Sequence, residues 1–295
     1  LYTAPDDTQS ASLAAAIAGQ GRTREFPYTR RDFDWVRRVL HDHAGIELAE
    51  HKIDMVYNRL VGRLRALSLS SFGDYARRVE SDPHEFGEFI NAMTTNLTAF
   101  FREQHHFDFL AGPFLEQCRS RGKRQLRIWS AGCSVGEEPY SIAMTLAEAL
   151  GNELAEWDVR ILASDIDSRV LQTAADGIYS LERISKLDPK RLARHFLRGT
   201  GSNAGRVRIK SHIQQLISFR QINLMRPLPL KGPFDLIFCR NVMIYFNNES
   251  QAQLLDRFAD LLDADGVLVV GHSESPYRLT QRLRLSGSTI YRKVH

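Results

Sequence analysis

Nine consecutive residues near the middle of the chain, Ser130-Ala131-Gly132-Cys133-Ser134-Val135-Gly136-Glu137-Glu138, combine a glycine turn with paired carboxylates. They follow an apolar stretch, LRIWSAG (126–132), and lead into PYSIAMTLAEAL (139–150), so the turn joins a strand to an amphipathic helix. Two glycines let the backbone turn tightly and approach a ligand closely. A dinucleotide site expects G-x-G-x-x-G, with pyrophosphate seated on the helix N-terminus. Here the spacing is G-x-x-x-G and two glutamates open the helix, a charge that repels phosphate and favours a ligand carrying an ammonium and a sulfonium. That combination points to S-adenosylmethionine and away from NAD. Glu137 and Glu138 could also simply complement the helix dipole. Gly132 to Gly136 further match the G-x-S-x-G elbow of serine hydrolases, with His272 and Asp265 as the available partners. The hydrolase elbow needs earlier strands with an oxyanion-hole loop, whereas the chain before it reads as helical.

In an open parallel sheet, ligands sit beyond the carboxyl ends of the strands. The residues after each strand are therefore the ones to weigh. DVRILASDID (158–167) ends in Asp165, with Asp167 two residues on, an acid placed to accept ribose hydroxyls. FDLIFCRNV (234–242) ends in Arg240 and Asn241, with Tyr245 close behind, and Gln221, Ile222, Asn223 and Leu224 could hold an adenine.

Those strands imply a particular scaffold. Alternation of near-continuous apolar strands with amphipathic helices (168–179 and 250–262 are the next two) predicts an α/β domain with a parallel sheet covered on both faces. The last strand of that set is GVLVVGH (266–272), and RLRLSGSTIYRKV (282–294) alternates around a Gly turn as an edge hairpin. The Gly-rich stretch at about 191–221 reads as a small antiparallel insert. Residues 26–93 carry four helical patterns separated by Gly, Ser and Pro breaks, a helical domain of their own, and 94–125 form a linker and connecting helix. Residues 1–25 read as a flexible lead-in, the Ala-rich run at 12–19 lacks the basic flank of a secretion signal, and the start at Leu1 reads as trimmed.

A chain 43% hydrophobic and 25% charged is of ordinary globular composition. No apolar run approaches a bilayer span. Three cysteines without a C-x-x-C or a pairing pattern fit a reducing, cytoplasmic setting. His41, His43, His105 and His106 lack a partner set with ligand spacing, so no metal is expected.

A longer ordered set of strings carries a resemblance: TTNLTAFFRE (94–103) with HHF after it, WSAGCSVGEEPYSIAMTLAEAL, LASDID, GPFDLIFCRNVMIYF (232–246) and GHSES (271–275). Over about residues 30–293 the chain resembles the CheR family of chemotaxis receptor protein-glutamate O-methyltransferases. The resemblance implies a class I SAM-dependent (Rossmann-like) methyltransferase domain over 126–295, with the helical domain before it and a β-subdomain inserted. It implies cofactor contacts from Asn96, Thr98, Arg102, Ala131, Gly132, Glu138, Asp165, Asn223, Leu224, Arg240 and Asn241. It also implies methyl transfer to receptor glutamates, giving methyl esters and S-adenosylhomocysteine for sensory adaptation.

No general base is required, because an ordinary glutamate with a pKa of about 4.3 is already ionised at neutral pH. Arg102 and Tyr245 are expected to orient the accepting carboxylate or the cofactor beside it. On the helix at 51–67, Ile53, Tyr57, Leu60, Leu64 and Leu67 share one face and Lys52, Arg59 and Arg63 form a basic stripe. That stripe suits an acidic, helical chemoreceptor domain. It also suits nucleic acid, which keeps an RNA methyltransferase as the second reading, although no aromatic platform accompanies the cations. A non-catalytic scaffold binding adenosylhomocysteine is a third. A receptor C-terminal tether peptide at the β-subdomain is left open, as an added sheet strand, and a monomer is expected.

Overall fold

The computed structural model describes residues 24–294, so nearly all of the expected lead-in lies outside the described residues. The described residues start with four α-helices. α1 (Arg30–Ala44) opens with a reciprocal capping box between Thr29 and Asp32 and closes at Gly45, whose φ of 67° lets its N–H reach the His41 carbonyl. α2 (Ile53–Ala66), α3 (Phe72–Ser81) and α4 (Pro83–Met93) follow, the last two started by Ser71 and by Asp82 with Pro83 in the first turn. Their apolar faces meet in one core around Phe33, Leu40, Leu60, Leu64, Tyr75 and Phe89.

Residues 94–104 then run without regular structure to α5. This helix starts as His105–Phe109, widens into a π-turn over Leu110–Phe114 and resumes as Leu115–Ser120. Pro113 sits inside the wide turn, where its missing N–H and its ring break the ordinary ladder.

The remaining chain builds a seven-stranded sheet in the order β6-β2-β1-β7-β8-β10-β9. β1 (Gln125–Ala131), β2 (Asp158–Asp165), β6 (Ile217–Gln221), β7 (Phe234–Cys239) and β8 (Leu262–Val270) are mutually parallel, and β9 (Leu283–Gly287) and β10 (Ile290–Lys293) form the expected antiparallel hairpin at one edge. Strand alternation sorts side chains between two cores. Leu126, Ile128, Leu236, Phe238, Val267 and Val269 pack on one face with α6 (Glu137–Leu150). Trp129, Ala131, Ile237, Cys239, Leu268 and Val270 pack on the other. That second face is covered by α9 (Asn248–Leu261), through Leu254, Leu255 and Phe258. From β1 the chain order runs outward in both directions, so the crevice lies at the carboxyl ends of β1 and β7.

The insert differs from the expected 191–221. α7 (Ser168–Asp176) stops at Gly177, φ 60°, and β3 (Ile178–Ser180) begins at once, whereas the sequence pattern extends the helix through residue 179. Helix α8 (Pro189–His195), β4 (Phe196–Arg198) and β5 (Arg206–Ile209) complete a three-stranded antiparallel sheet, order β3-β5-β4. The stretch at 217–221 belongs instead to the main sheet, parallel to β2. An edge strand is buried on one side only, so β6 alternates like an antiparallel hairpin; periodicity cannot separate the two.

Candidate active site

At the switch point the turn after β1 is held from both sides. Gly132 and Cys133 donate to the Ser164 carbonyl at the end of β2 (2.8 and 2.9 Å). Gly132, at φ 85°, passes so close to Val242 that a Cβ would lie 2.3 Å from Cγ2. Gly136, at φ 90°, faces Ala174 and the Tyr179 hydroxyl in the same way. Both glycines are thus required by left-handed backbone and by crowding.

A cavity of about 510 Å³ opens there, between the helical unit and the sheet, within the size range of small-molecule sites. It is lined by Asn96, Thr98, Arg102, Gly132, Glu138, Asp165, Asn223, Leu224, Arg240, Asn241 and Tyr245, and by Lys52 and Arg59 from the helical unit. Of the residues expected from the sequence, Ala131, Arg63 and Gln221 do not line it. Ala131 is fully buried at the end of β1. Arg63 is turned inward, paired with Glu85 and, at 3.2 Å, with Glu88. Arg59 is also tied down, donating to the carbonyls of Met93 and Thr94 (2.7 and 2.8 Å) and to Thr95 Oγ1 (2.9 Å). The basic stripe is therefore not one row of free cations: Lys52 is exposed and makes no ion pair among the described residues.

The two glutamates part company. Glu137 is buried away from the cavity against Arg183 (2.8 Å). Glu138 accepts from Ser130 Oγ (2.7 Å) and from Arg240 Nη1 (2.9 Å). Burial raises the Glu138 pKa, and the Arg240 charge works against that rise. The Arg240 guanidinium is itself buried and also donates to the Arg102 carbonyl, with Glu103 3.6 Å away. It joins the glycine-loop helix, the end of β7 and the inter-domain segment. Burial favours a protonated Glu103, yet the His272 hydrogen bond and the Arg240 charge leave its pKa lowered.

Asp165 accepts from Ser134 N (2.8 Å) and Asp167 N (3.0 Å), and burial raises its pKa. A carboxylate offers about four acceptor positions, so two remain for a diol. Asn223 donates to the His43 carbonyl (2.6 Å) and accepts from Met225 N, which leaves its main chain and the apolar Leu224 to face the cavity. Asn96 donates to Asp167 Oδ2 (2.8 Å). Arg102 lies between Phe101 and Glu103, both non-glycine residues in left-handed backbone (φ 55° and 59°), a conformation that costs of order 1–3 kcal/mol each. Tyr245 stands in a short turn after β7, its carbonyl accepting from Glu47 N (2.8 Å).

The elbow reading fails on geometry. The Ser134 hydroxyl donates to the Asn96 carbonyl (3.0 Å), and His272 is engaged with Glu103 (3.1 Å). Neither a serine–histidine pair nor a third acid is assembled. The histidines at 105 and 106 do gather with Glu103, their ligand atoms within 4.8 Å of one another, but none of the three lines the cavity. His106 is buried with Nε2 on Thr289 Oγ1 (2.7 Å).

One acid escaped the sequence reading. Glu274, buried in the GHSES string, accepts N–H bonds from Asn241 (2.8 Å), Val242 (2.9 Å), Met243 (2.7 Å) and Gly271 (2.6 Å). It fixes the turn carrying Asn241, itself at φ 60°. The helical unit also gives the cavity a wall from Ile46, Glu47, Leu48, Ala49 and Met55, which no motif marked.

An open sheet of this order defines the class I S-adenosylmethionine-dependent methyltransferases, and the site agrees: an acid after the second strand and a glycine turn backed by a buried glutamate rather than built for phosphate. The SAM binding domain of CheR methyltransferase matches residues 96–292, and the all-alpha domain of CheR methyltransferase matches residues 31–94. The chain is 48% identical over 262 residues to a chemotaxis protein methyltransferase of Escherichia coli K12, covering 88% of this chain and 89% of that one. It is 49% identical to chemotaxis protein methyltransferase 2 of Pseudomonas aeruginosa (91% and 95% covered). A chemotaxis protein methyltransferase of Salmonella typhimurium is 47% identical (91% and 92%). The chain belongs to the CheR methyltransferase family.

Proposed function

We propose that this chain methylates glutamate side chains on the cytoplasmic helical domain of chemoreceptors, leaving glutamyl methyl esters and S-adenosylhomocysteine. The observation that carries this reading is the cavity between the two domains, which gathers Asn96, Arg102, Glu138, Asp165, Arg240, Asn241 and Tyr245 from distant parts of the chain. S-adenosylmethionine supplies a methyl on a sulfonium sulfur: a carboxylate oxygen forms the new C–O bond, the C–S bond breaks, and its electron pair stays on sulfur. No proton moves, so the absence of a serine–histidine or similar base pair at the mouth costs the reaction nothing.

The protein's part is orientation and exclusion of water. Asp165 takes the ribose hydroxyls, Glu138 and the main chain at Gly132 face the amino-acid end, and Asn223 and Leu224 border the adenine. Arg102 offers forked donors and Tyr245 a hydroxyl to the incoming carboxylate. Lys52 and Arg59 give the entrance the sign that suits an acidic helix. Arg63 contributes to this surface only through the fold of α2. At the three-stranded sheet, β4 is an edge strand with Leu197 exposed, suited to a receptor C-terminal peptide adding as a further strand. The enzyme acts as a monomer in the cytoplasm. Among the described residues no helix is long and apolar enough to cross a membrane.

Calorimetry with S-adenosylmethionine, followed by transfer of labelled methyl to receptor-containing membranes and to RNA in parallel, tests the reading. Base-labile label on the receptor is the expected result. Label on RNA, or base-stable label, would overturn it.

A further inference from the structure

The cavity mouth carries two large apolar side chains that no fold requirement explains. Leu97 is 82% exposed and Ile244 is 46% exposed, and both line the cavity. Among the described residues only three other large hydrophobic side chains, Leu197, Tyr277 and Leu285, are as open as Ile244, and none of those lines it. Single exposed apolar residues are ordinary on a protein surface. Two that share one cavity with the groups proposed to meet the substrate are not accounted for by that rule.

Their positions sharpen the point. Leu97 lies between Asn96, bonded to Asp167, and Thr98, which faces the cavity; its own carbonyl accepts from Arg102 Nη1 (3.2 Å). The backbone under Leu97 is thus fixed by the residue proposed to orient the carboxylate. Ile244 occupies the middle of the Met243–Tyr245 turn, beside Tyr245 and one residue from the Met243 N–H held by Glu274. Both apolar side chains therefore sit on anchored backbone next to a carboxylate-orienting group. Lys52, Arg59 and Arg102 line the same cavity, so the occupant that fits is anionic at its tip and apolar beside it. A helix presenting a glutamate has that shape: residues three and four positions away share its face, with Cβ atoms about 5–6 Å distant.

We propose that Leu97 and Ile244 form an apolar rim that seats the receptor helix through residues three or four positions from the accepting glutamate, and so set which glutamates are methylated. The inference rests on the reading of the substrate as a receptor helix. Leaving each side chain partly in water forgoes part of the stabilisation that full burial of a Leu or Ile would bring. Contact with the receptor recovers it.

The test measures labelled-methyl transfer to a receptor cytoplasmic fragment, with Leu97→Ser, Ile244→Ser and the double variant. Each single variant should raise the KM for receptor about five- to tenfold, with kcat at saturating receptor and the calorimetric Kd for S-adenosylmethionine within twofold of the parent. A receptor fragment with serine at the apolar positions three and four residues from the accepting glutamate should raise the parent enzyme's KM similarly, and Leu97→Ser should add little to that. A receptor KM within twofold of the parent in the double variant refutes the rim. So does a tenfold change in the Kd for S-adenosylmethionine, which would make these residues part of the cofactor site. Failure of the rim leaves receptor labelling by the parent enzyme intact, whereas failure of the substrate reading removes that labelling altogether.

Discussion

Replacing Glu274 by Gln keeps the shape of the side chain and removes one acceptor oxygen. In the parent, Oε1 accepts from Val242 and Met243 and Oε2 from Asn241 and Gly271. A glutamine can satisfy one of these pairs; its amide group would point N–H at N–H toward the other. Two buried donors left unpaired, at roughly 1–3 kcal/mol each, give a destabilisation of about 2–6 kcal/mol before relaxation. If relaxation leaves about 3 kcal/mol, the melting temperature should fall by about 6–12 °C for a protein of this size. The effect should also reach the cofactor. Asn241 is held in a left-handed conformation that a non-glycine residue adopts at a cost of about 1–2 kcal/mol, and without its anchor it should relax. We expect S-adenosylmethionine affinity to weaken about tenfold, equivalent to about 1.4 kcal/mol. Thermal unfolding by circular dichroism gives the first number and isothermal calorimetry the second. A Glu274→Gln variant that melts within 2 °C of the parent and binds the cofactor equally well would refute the account of this loop.

Other outcomes follow from the same structure. Arg63→Ala strands the buried Glu85, which keeps only the Tyr75 hydroxyl (3.0 Å) besides the lost arginine, so stability should drop by about 3 kcal/mol in urea unfolding while the receptor KM of the folded fraction changes little. Gly132→Ala places a Cβ against Val242 in left-handed backbone and should abolish cofactor binding in calorimetry without unfolding the helical unit. Burial, reinforced by the Arg240 charge, drives the His106 pKa down to about 3 from an ordinary 6.5. Between those values the unfolded chain binds the extra proton, so stability is full above about pH 6.5 and is lost as the pH falls toward 3. The pH dependence of the unfolding free energy between 7 and 5 should flatten in His106→Gln.

Much of this site was readable because its parts obey local rules. Strand, glycine turn and helix are adjacent in sequence, and the acid after β2 is placed by the sheet, so Gly132, Glu138 and Asp165 are legible in the sequence alone. Arg63 illustrates the limit. Its spacing from Lys52 and Arg59 marks a helical stripe, but whether a cation on that stripe faces solvent depends on α4, which brings Glu85 and Glu88 to it. Glu274 was invisible for a related reason. Its four partners are backbone N–H groups, three of them more than thirty residues away, and no side-chain pattern records them. The β6 assignment failed because one-sided burial produces the same alternation in a parallel edge strand as in a hairpin.

Asp167 ties these levels together. One oxygen caps α7 by accepting from Arg169 and Val170, and the other receives Asn96 and Thr94. A single carboxylate thus starts a helix of the catalytic domain and anchors the segment that joins that domain to the helical unit. Opening the two halves by a hinge at 94–96 would strip two donors from the group that holds α7, so the hinge and the helix rise or fall as one cooperative unit. The four-helix unit is accordingly not a free module. A chimera carrying another relative's helices would inherit a working cleft only if the junction is cut before Thr94, keeping Thr94, Asn96 and Asp167 from the same parent.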